Sequence, residues 1–453
     1  MSRAAATPPG PRGSLLLGNL REFARDNLRF FERQIREHGD VVGGRFFNRR
    51  FVVLGHPDLV EQVLLVQHKN FRKHSFFWRH VTALFGRGLL VSEGDFWLRQ
   101  RRLAAPAFHS KRIAAYADVM VAYTERMLDG WRDGEARDAH GEMMRLTMQI
   151  VAKTLFDAEV SEDYREISRA FDDVVEEIAL RFRQPLPIPD WVPMARNRRY
   201  LAAVRQLDGL VYRFIAERRA DPRDRGDLLS MLLAARDDDG AGMSDAQVRD
   251  EVITLFLAGH ETTAIALSWT WYLLARHSEV EARLGAELDA VLAGRAPALD
   301  DLPRLAYTEQ VVKESMRLFP PAYAFGREAI ADCEIGGYRV AAKTTVFMSQ
   351  WALHRDGRFF PDPESFRPER WTADFEAALP RYAYLPFGGG PRVCIGNRFA
   401  MMEAVLLLAT VAQRYRLRLA SAAEIEPFAS ITLRPVGGVP VRLEARQRAA
   451  SAA

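Results

Sequence analysis

The stretch Phe387-Gly388-Gly389-Gly390-Pro391-Arg392-Val393-Cys394-Ile395-Gly396 places a cysteine in a glycine-rich loop, directly before an apolar run from Asn397 to Arg414 with helical spacing. The chain has one other cysteine, Cys333, so it cannot assemble a disulfide framework or a metal site made of thiolates alone. Haem needs just one protein ligand, which leaves it as the metal group that a lone thiol can hold.

The surroundings of Cys394 favour a thiolate. The consecutive glycines 388–390 permit backbone conformations that other residues avoid. At the start of a helix over 397–414, backbone N–H groups and the helix dipole lower the pKa of a thiol. Two other interpretations remain open here. In the first, Cys394 is a small buried apolar side chain. In the second, it is a catalytic nucleophile, although the chain has no recognisable cysteine–histidine signature.

Length and composition are those of a globular protein without an obvious division. The chain has 453 residues, 48% of them hydrophobic, and no Ser/Gly-rich linker or low-complexity block. Its net charge is +4, from 63 basic and 59 acidic residues, and it carries no nucleic-acid-binding motif. The apolar run Leu15–Leu17 is cut off by Gly18-Asn19, so we identify neither a signal peptide nor an N-terminal membrane span. We expect one cytoplasmic domain over 1–453 that binds no nucleic acid.

The periodicity predicts a mainly α protein with a minor β region. Residues 1–35 read as an extended, proline-rich lead and a first helix, and 41–47 and 51–54 as a hairpin. Helical spacing then dominates from about Pro57 to Arg276. Ser244 and Gln247 form a capping-box pattern that begins a helix reaching about His277, roughly 50 Å long. Four short strands are predicted late in the chain, at 338–340, 344–349, 415–419 and 441–443.

The cysteine stretch resembles the haem-binding signature of the cytochrome P-450 superfamily at every fixed position: Phe387, Gly390, Arg392, Cys394 and Gly396. The resemblance extends from about Pro8 to Leu443 and implies the P-450 fold, with a long central helix over haem b. It implies that Cys394 is the iron ligand and that Arg392 pairs with a haem propionate. Thiolate ligation favours O–O cleavage. The resemblance leaves no length for a fused reductase.

Within the long helix, Ala258-Gly259-His260-Glu261-Thr262-Thr263 resembles the oxygen-activation motif of the same family. Gly259 is unfavourable inside a helix, and a threonine hydroxyl can bond a carbonyl of the preceding turn, so we expect the helix to open into a kink. The resemblance assigns Glu261 and Thr262 to a proton relay and places Ala258 beside haem. Read as structure alone, the stretch is a helix with a tolerated glycine. Successive side chains on a helix are turned by about 100°, so His260 points away from the face of Glu261, and we expect that it is not a haem ligand.

Three further positions match the propionate-binding residues of the family: Trp97, Arg101 and Arg327. The neighbouring Arg99 and Arg102 fit a solvated basic helix. Glu314, Arg317 and Arg370 match a buried charge network on the cysteine side of the haem, although Glu and Arg three positions apart also occur on many solvated surfaces. Cys333 is interpreted as a half-buried thiol.

The side chains that the resemblance places over the haem are mostly apolar and predict a hydrophobic substrate. They are Leu84, Phe85, Leu90, Leu255, Phe256, Ala322, Tyr323 and Ile431. The stretch Ser75-Phe76-Phe77-Trp78 adds aromatic bulk that belongs to the core or to the pocket. The spelling of the oxygen-activation motif is similar to that of bacterial fatty-acid hydroxylases, and an arginine of the hairpin (Arg45, Arg49 or Arg50) is a candidate to bind a carboxylate.

These observations predict a haem-thiolate monooxygenase that inserts one atom of dioxygen into a fatty acid, terpenoid or polyketide-like molecule. A monomer would receive electrons from a ferredoxin or flavodoxin and its reductase, docked on basic residues: Arg99, Arg102, Lys111 and Arg398. Two alternatives stay open. One is a peroxide-driven peroxygenase, which the Glu261–Thr262 pair disfavours, and the other is a haem sensor or carrier without turnover.

Overall fold

The computed structural model describes residues 6–73, 81–157, 170, 173–174, 177–178, 180–181 and 188–446. The aromatic stretch 75–78 lies outside these residues. The described chain is mainly helical with short strands, as the periodicity predicts.

Sixteen α-helices are described. Their bounds are Leu20–Arg25, Asn27–His38, Pro57–Glu61, Thr82–Phe85, Gly94–Ala104, Ser110–Ala114, Ala117–Asp129, Ala139–Phe156, Ala195–Ala220, Leu228–Ala234, Asp245–Arg276, Ser278–Leu292, Ala306–Leu318, Gln350–Leu353, Ala373–Ala378 and Asn397–Arg414. Short 3-10 turns occur at His68–Asn70, Ala105–Phe108, Leu299–Arg304, Pro368–Arg370 and Gly390–Arg392, and a π-helical turn at Gln62–Val66.

The strands are Val41–Phe46, Arg49–Leu54, Phe71–Lys73, Ala136–Asp138, Phe325–Ala329, Cys333–Ile335, Tyr338–Val340, Thr345–Met348, Tyr415–Leu419, Pro427–Ala429, Leu433–Pro435 and Pro440–Ala445. The predicted hairpin is confirmed, with Val41 opposite Leu54 and Phe46 opposite Arg49. The four late strands are also confirmed. The other six strands were not predicted. Five of them have only three residues, which give an alternating pattern little length in which to appear, and the sixth is Phe325–Ala329.

The chain divides into two compact units that interleave along the sequence. The first comprises Met1–Arg79, Glu314–Cys394 and Ile431–Leu433. Its five-stranded sheet places Arg49–Leu54 and Phe325–Ala329 on either side of Thr345–Met348. One core cluster of this unit is aromatic and consists of Phe30, Phe31, Phe51 and Phe347 with Val42 and Val53.

The second unit comprises His80–Lys313, Ile395–Ser430 and Arg434–Ala453. Asp245–Arg276, here called the long helix, is its core element and packs against Ala139–Phe156 through the hydrogen bond from Thr147 Oγ1 to the carbonyl of His260, 3.1 Å long. This helix is long and apolar enough to cross a membrane, but 78% of its apolar window is buried inside the protein. Its apolar character is therefore that of a core helix.

Both ends of the long helix lie where the sequence predicts them. Ser244 caps the first turn by accepting the N–H of Gln247 over 3.2 Å. The reciprocal half of the capping box is absent, because the Gln247 amide donates to Glu251 instead. The α-helix continues unbroken past Gly259, so the expected opening does not interrupt it.

Candidate active site

The cysteine loop, Phe387–Gly396, begins in a series of tight turns. The N–H of Gly388 donates to the carbonyl of Leu385, and the N–H of Cys394 donates back to the carbonyl of Phe387, each over 3.0 Å. Gly390 has φ +65°, and a Cβ there would lie 2.0 Å from the carbonyl oxygen of Leu64. The loop therefore requires glycine at this position. Cys394 itself is exposed.

His354 supports the segment that enters the cysteine loop. This histidine is fully buried, and its Nε2 accepts the backbone N–H of Leu385 over 3.0 Å. Burial lowers the pKa of His354 to about 3, so the ring is neutral and can serve as an acceptor. This contact could not be predicted from local spacing, because the two residues are separated by 31 positions.

The predicted charge network forms around the Glu314 carboxylate. Arg317 donates to both of its oxygens, over 2.8 and 2.9 Å, and Arg370 Nε donates over 2.9 Å. Trp371 Nε1 and the N–H of Arg367 complete the shell. The side chains of Glu314 and Arg317 are both 0% exposed. A buried carboxylate with two cations and two further donors is compensated, as a buried ion pair must be.

The network connects to the cysteine loop through His354. Arg317 Nη1 donates to the backbone carbonyl of His354 over 2.9 Å, while the imidazole of the same residue holds Leu385. This path is continuous through hydrogen bonds from Glu314 to the turn that precedes Phe387.

The remaining candidate residues of the first unit lie on or near its sheet. Arg327 is on strand Phe325–Ala329, half-buried, and its guanidinium lies 5.1 Å from the centroid of the Phe325 ring. Tyr323 is half-buried, and its hydroxyl accepts the Asn27 side-chain amide over 3.3 Å. Ala322, Arg392 and Ile431 are half-buried.

In the second unit, the long helix presents one accessible face amid buried neighbours. Ala258 is exposed and Gly259 and Thr262 are half-buried, whereas the residues from Glu251 to Leu257 are buried. Positions 255, 258, 259 and 262 share one side of a helix. Thr262 Oγ1 donates to the carbonyl of Ala258 over 2.7 Å, which confirms the diverted hydroxyl that the sequence predicts.

Glu261 forms an ion pair that sequence reasoning missed. Arg434, from strand Leu433–Pro435, donates to Glu261 Oε1 through Nε at 2.8 Å and through Nη2 at 2.6 Å. The carboxylate side chain is 11% exposed and the arginine side chain 27% exposed. The pair therefore links the Glu261 carboxylate, in the middle of the long helix, to the guanidinium of Arg434, which is more accessible to solvent.

His260 and Phe256 face the helix Ala139–Phe156. His260 Nε2 lies 3.0 Å from the carbonyl of Met144, and burial lowers the pKa of this histidine to about 4. The Phe256 ring lies 6.0 Å from that of Phe156. A neutral histidine engaged with a backbone carbonyl agrees with the expectation that it is no ligand. The pocket role of Phe256 remains a prediction, since its ring has these core neighbours.

The first turns of the long helix hold the loop that follows Thr82–Phe85. Glu251 Oε2 accepts the N–H of Leu89 over 2.9 Å, and Asp250 Oδ2 accepts the N–H of Arg87 over 2.7 Å. Arg249 Nη1 donates to the carbonyl of Leu84 over 2.7 Å. These contacts position the backbone around the predicted pocket residues: Leu84 and Phe85 are buried and Leu90 is half-buried.

The helix Gly94–Ala104 carries Trp97 and Arg101, both half-buried. On the same helix, Arg99 donates to Asp237 over 2.6 Å and to two backbone carbonyls. Arg99 is thus held inside the unit, which makes it a weaker docking candidate than the exposed Arg102. Arg398 donates to Ser110 over 2.6 Å and remains exposed.

Comparison with known proteins decides the family. The family model described as Cytochrome P450 matches residues 8–438. The chain belongs to the cytochrome P450 family. A crystal structure titled cytochrome P450DA heme domain superposes with a TM-score of 0.90, at 28% identity, covering 98% of each chain. The P450 fold inferred from the motifs is confirmed.

Several curated P450 relatives match over almost the whole chain. Cyclooctatin synthase of Streptomyces melanosporofaciens is 41% identical, covering 95% of this chain and 94% of the relative. Cyclooctat-9-en-7-ol 5-monooxygenase of the same species is 40% identical, with 92% and 90% covered. Pentalenene oxygenase of Streptomyces avermitilis is 35% identical, with 98% of both chains covered. This P450 is accordingly a monooxygenase, the enzyme class inferred from the sequence.

The donor set of this P450 fits haem, the cofactor that its family implies. Within the described part of the chain, no group of three or more His, Cys, Asp or Glu residues could hold a metal ion. Haem iron receives its in-plane ligands from the porphyrin, so Cys394 suffices as its protein ligand. Cys394 is exposed, although cysteine is among the residue types most often buried.

Glu403 is a second buried acid of this P450 that sequence reasoning missed. It lies on the helix Asn397–Arg414, whose predicted bounds are confirmed, and is 0% exposed beside Thr263 of the long helix. Burial raises the pKa of Glu403 to about 8, so the side chain is protonated at neutral pH. The one local signal in the sequence that could have indicated a buried acid here is the position of Glu403 within an apolar helical run.

Proposed function

We propose that this P450 hydroxylates or epoxidises a terpenoid, using haem b ligated by Cys394. The observation that carries the substrate class is the group of relatives named for cyclooctatin, cyclooctat-9-en-7-ol and pentalenene, at 35–41% identity over nearly the full chain. None of these names refers to a fatty acid, the substrate class suggested by the residues of the oxygen-activation motif.

Haem, when bound, supplies an iron centre that activates dioxygen, and a thiolate ligand favours cleavage of the O–O bond. In the proposal, Cys394 is the ligand, and Phe387 and Gly396 shape the loop around it. Arg392, Arg101, Trp97 and Arg327 are assigned to the propionates. Each of these side chains is half-buried, as groups that bind a partly enclosed anion should be.

Thr262 is proposed to donate a proton at its hydroxyl oxygen, and Glu261 to resupply it. Support comes from the accessible face formed by Ala258, Gly259 and Thr262, and from the Glu261–Arg434 pair. Arg434 holds the carboxylate through two donors and is the more exposed partner. Movement of this arginine toward solvent would let Glu261 exchange protons with water.

The substrate pocket is proposed to be apolar. Leu255 shares the helix side of Ala258, while Leu84, Phe85 and Leu90 belong to the segment held by Glu251 and Asp250. Ala322, Tyr323 and Ile431 complete the set. A terpenoid skeleton offers few polar groups. The shape of the pocket and the fixed backbone of the segment that contains Leu84, Phe85 and Leu90 would therefore decide which carbon is oxidised.

Bacterial P450s use dioxygen, an organic substrate and redox partners. We assign a ferredoxin or flavodoxin with its reductase to this chain, docking on exposed basic residues such as Arg102 and Arg398. We further propose a cytoplasmic monomer. Among the described residues, the one helix of sufficient apolar length to span a membrane is mostly buried in the protein.

The test is a reconstituted reaction with the holoenzyme, a bacterial ferredoxin and its reductase, and cyclic terpenoid alkenes and alcohols beside fatty acids of similar carbon number. We expect oxygenated products from terpenoids and a substrate-induced spectral shift of the haem. Fatty-acid products alone would overturn the substrate class. Product formation with hydrogen peroxide but not with the electron-transfer system would favour a peroxygenase.

The proton relay has its own test in Thr262→Ala. Haem should be retained, while the reducing equivalents consumed per product rise and hydrogen peroxide accumulates. Thr263→Ala is the matched control, because its hydroxyl also bonds the carbonyl four residues back, at 3.2 Å, but the side chain is buried. Equal coupling in the wild type and in Thr262→Ala would contradict the relay.

A further inference from the structure

Three consecutive leucines near the N-terminus of the described chain are exposed. The leucine tip, Leu15–Leu17, has relative exposures of 92%, 84% and 40%. Single exposed apolar residues are ordinary, but adjacent ones of this size form a patch and mark a surface that meets something apolar.

The tip is held in one conformation by its own backbone. Ser14 and Gly18 exchange both N–H···O bonds, over 2.9 and 3.0 Å. The N–H of Leu17 donates to the Ser14 hydroxyl, and the carbonyl of Leu17 accepts from the N–H of Phe47 over 3.1 Å. The leucines therefore project from a fixed turn beside the hairpin.

Arg45 adds a second set of bonds beneath the tip. Its Nη2 donates to the carbonyls of Ser14, over 2.6 Å, and Leu15, over 2.9 Å, while Nη1 donates to the carbonyl of Phe47. Most backbone polar groups of the turn are thus satisfied within the protein. That condition matters at a lipid surface, where an unbonded carbonyl entering the apolar region is strongly unfavourable. Because Arg45 is used in this way, it is a poor candidate for binding a substrate carboxylate.

The charge around the tip has one sign. Segments 6–21 and 41–54 contain five arginines and no aspartate or glutamate. Four of them are exposed, namely Arg12, Arg21, Arg49 and Arg50. Because Gly18 bridges Phe46 and Leu17 bonds Phe47, the tip lies next to the hairpin turn that carries Arg49 and Arg50. In the next helix, Glu22 is engaged by Arg33 over 2.6 Å.

We propose that the leucine tip and these four arginines dock on an anionic lipid surface, with the leucines entering the interface and the arginines meeting headgroup phosphates. Neither the insertion of a few apolar side chains nor a basic patch is sufficient alone for binding to a membrane, but together they give reversible peripheral binding. An acidic protein is the less favoured occupant, since leucine contributes little to protein–protein hot spots while acyl chains accept it without a shaped pocket. The inference is independent of the proposed substrate.

The test is co-sedimentation of the full-length holoenzyme with vesicles of phosphatidylcholine alone or mixed with phosphatidylglycerol. The wild type should bind the mixed vesicles and release them as salt rises, because the arginine contribution is screened. Leu15→Asp with Leu16→Asp should lower the partition coefficient by at least about tenfold. Arg12→Gln with Arg50→Gln should lower it by about fivefold per arginine.

Val66→Asp is the matched control, since Val66 is 72% exposed and lies outside the tip. It should bind as the wild type does, and circular dichroism with the haem spectrum verifies that each variant is folded. No binding by the wild type would overturn the proposal. So would an undiminished partition of the leucine pair beside a weakened arginine pair, because the arginines would then bind the vesicles by charge alone, without insertion of the leucines.

Discussion

The imidazole of His354 accepts the backbone N–H of Leu385 over 3.0 Å, and the backbone carbonyl of the same histidine accepts Arg317 over 2.9 Å. One residue therefore joins the Glu314 charge network to the turn that enters the cysteine loop. The network thereby acquires a specific structural role: it fixes the start of the loop that carries the proposed iron ligand.

Removing the acceptor on His354 should loosen the cysteine loop. His354→Phe leaves the N–H of Leu385 buried without a partner, at a cost of about 1–3 kcal/mol in the free energy of unfolding. We expect partial haem loss and a weaker thiolate signature in the reduced, carbon-monoxide-bound spectrum. His354→Gln, which can still offer an acceptor, should restore much of both. Equal spectra and stability for His354→Phe and the wild type would remove His354 from this role.

Breaking the network at its centre should be more severe. Glu314→Gln leaves the Arg317 and Arg370 guanidiniums without their carboxylate in a fully buried site, which costs about 3–5 kcal/mol and is expected to abolish stable haem binding. Glu309→Gln is the matched control on the same helix, because its pair with Lys313 is partly open to solvent (side chains 44% and 22% exposed) and is worth no more than about 0.5 kcal/mol. Denaturant unfolding and haem content measure both variants. Similar losses for the two variants would contradict a special role for Glu314.

Local signals in the sequence predicted the elements that carry the chemistry. The cap at Ser244 fixed the start of the long helix, and glycine spacing with the apolar run after it identified the cysteine loop and Asn397–Arg414. The missed contacts join distant residues: Glu261 and Arg434 are separated by 173 positions and Arg99 and Asp237 by 138. Neither pair has a spacing that a helix or strand would impose, so only the folded chain brings them together.

The bond between Glu251 and Leu89 should influence where the substrate is oxidised. Glu251→Ala removes the acceptor for the N–H of Leu89 and should allow the segment from Leu84 to Leu89 to move. We expect a severalfold weaker substrate-induced spectral shift and a broader distribution of product isomers. Glu251→Gln keeps an oxygen at this position and should stay close to the wild type. An unchanged isomer distribution in Glu251→Ala would argue against a positioning role.

The pH dependence of stability should carry the signature of Glu403. Because burial raises the pKa of this carboxyl to about 8, the folded state holds a proton that the unfolded state releases above about 4.5. Stability from this residue is therefore complete at low pH and is lost as pH rises toward 8, by about 1.4 kcal/mol per pH unit.

Glu403→Gln removes this slope, so its stability relative to the wild type should increase between about pH 5 and pH 8. Unfolding free energies from denaturant titrations across that range measure the effect. Glu424→Gln is a suitable control, since that side chain is 82% exposed and should give a constant difference. Parallel curves for Glu403→Gln and the wild type would mean that Glu403 is ionised in the folded protein.

The most direct test of the haem-thiolate assignment is the reduced, carbon-monoxide-bound spectrum of the wild type, Cys394→Ala and Cys333→Ala. The wild type and Cys333→Ala should have the strongly red-shifted Soret band of thiolate ligation, and Cys394→Ala should lose that band. A red-shifted band that survives in Cys394→Ala would contradict the assignment of Cys394 as the iron ligand.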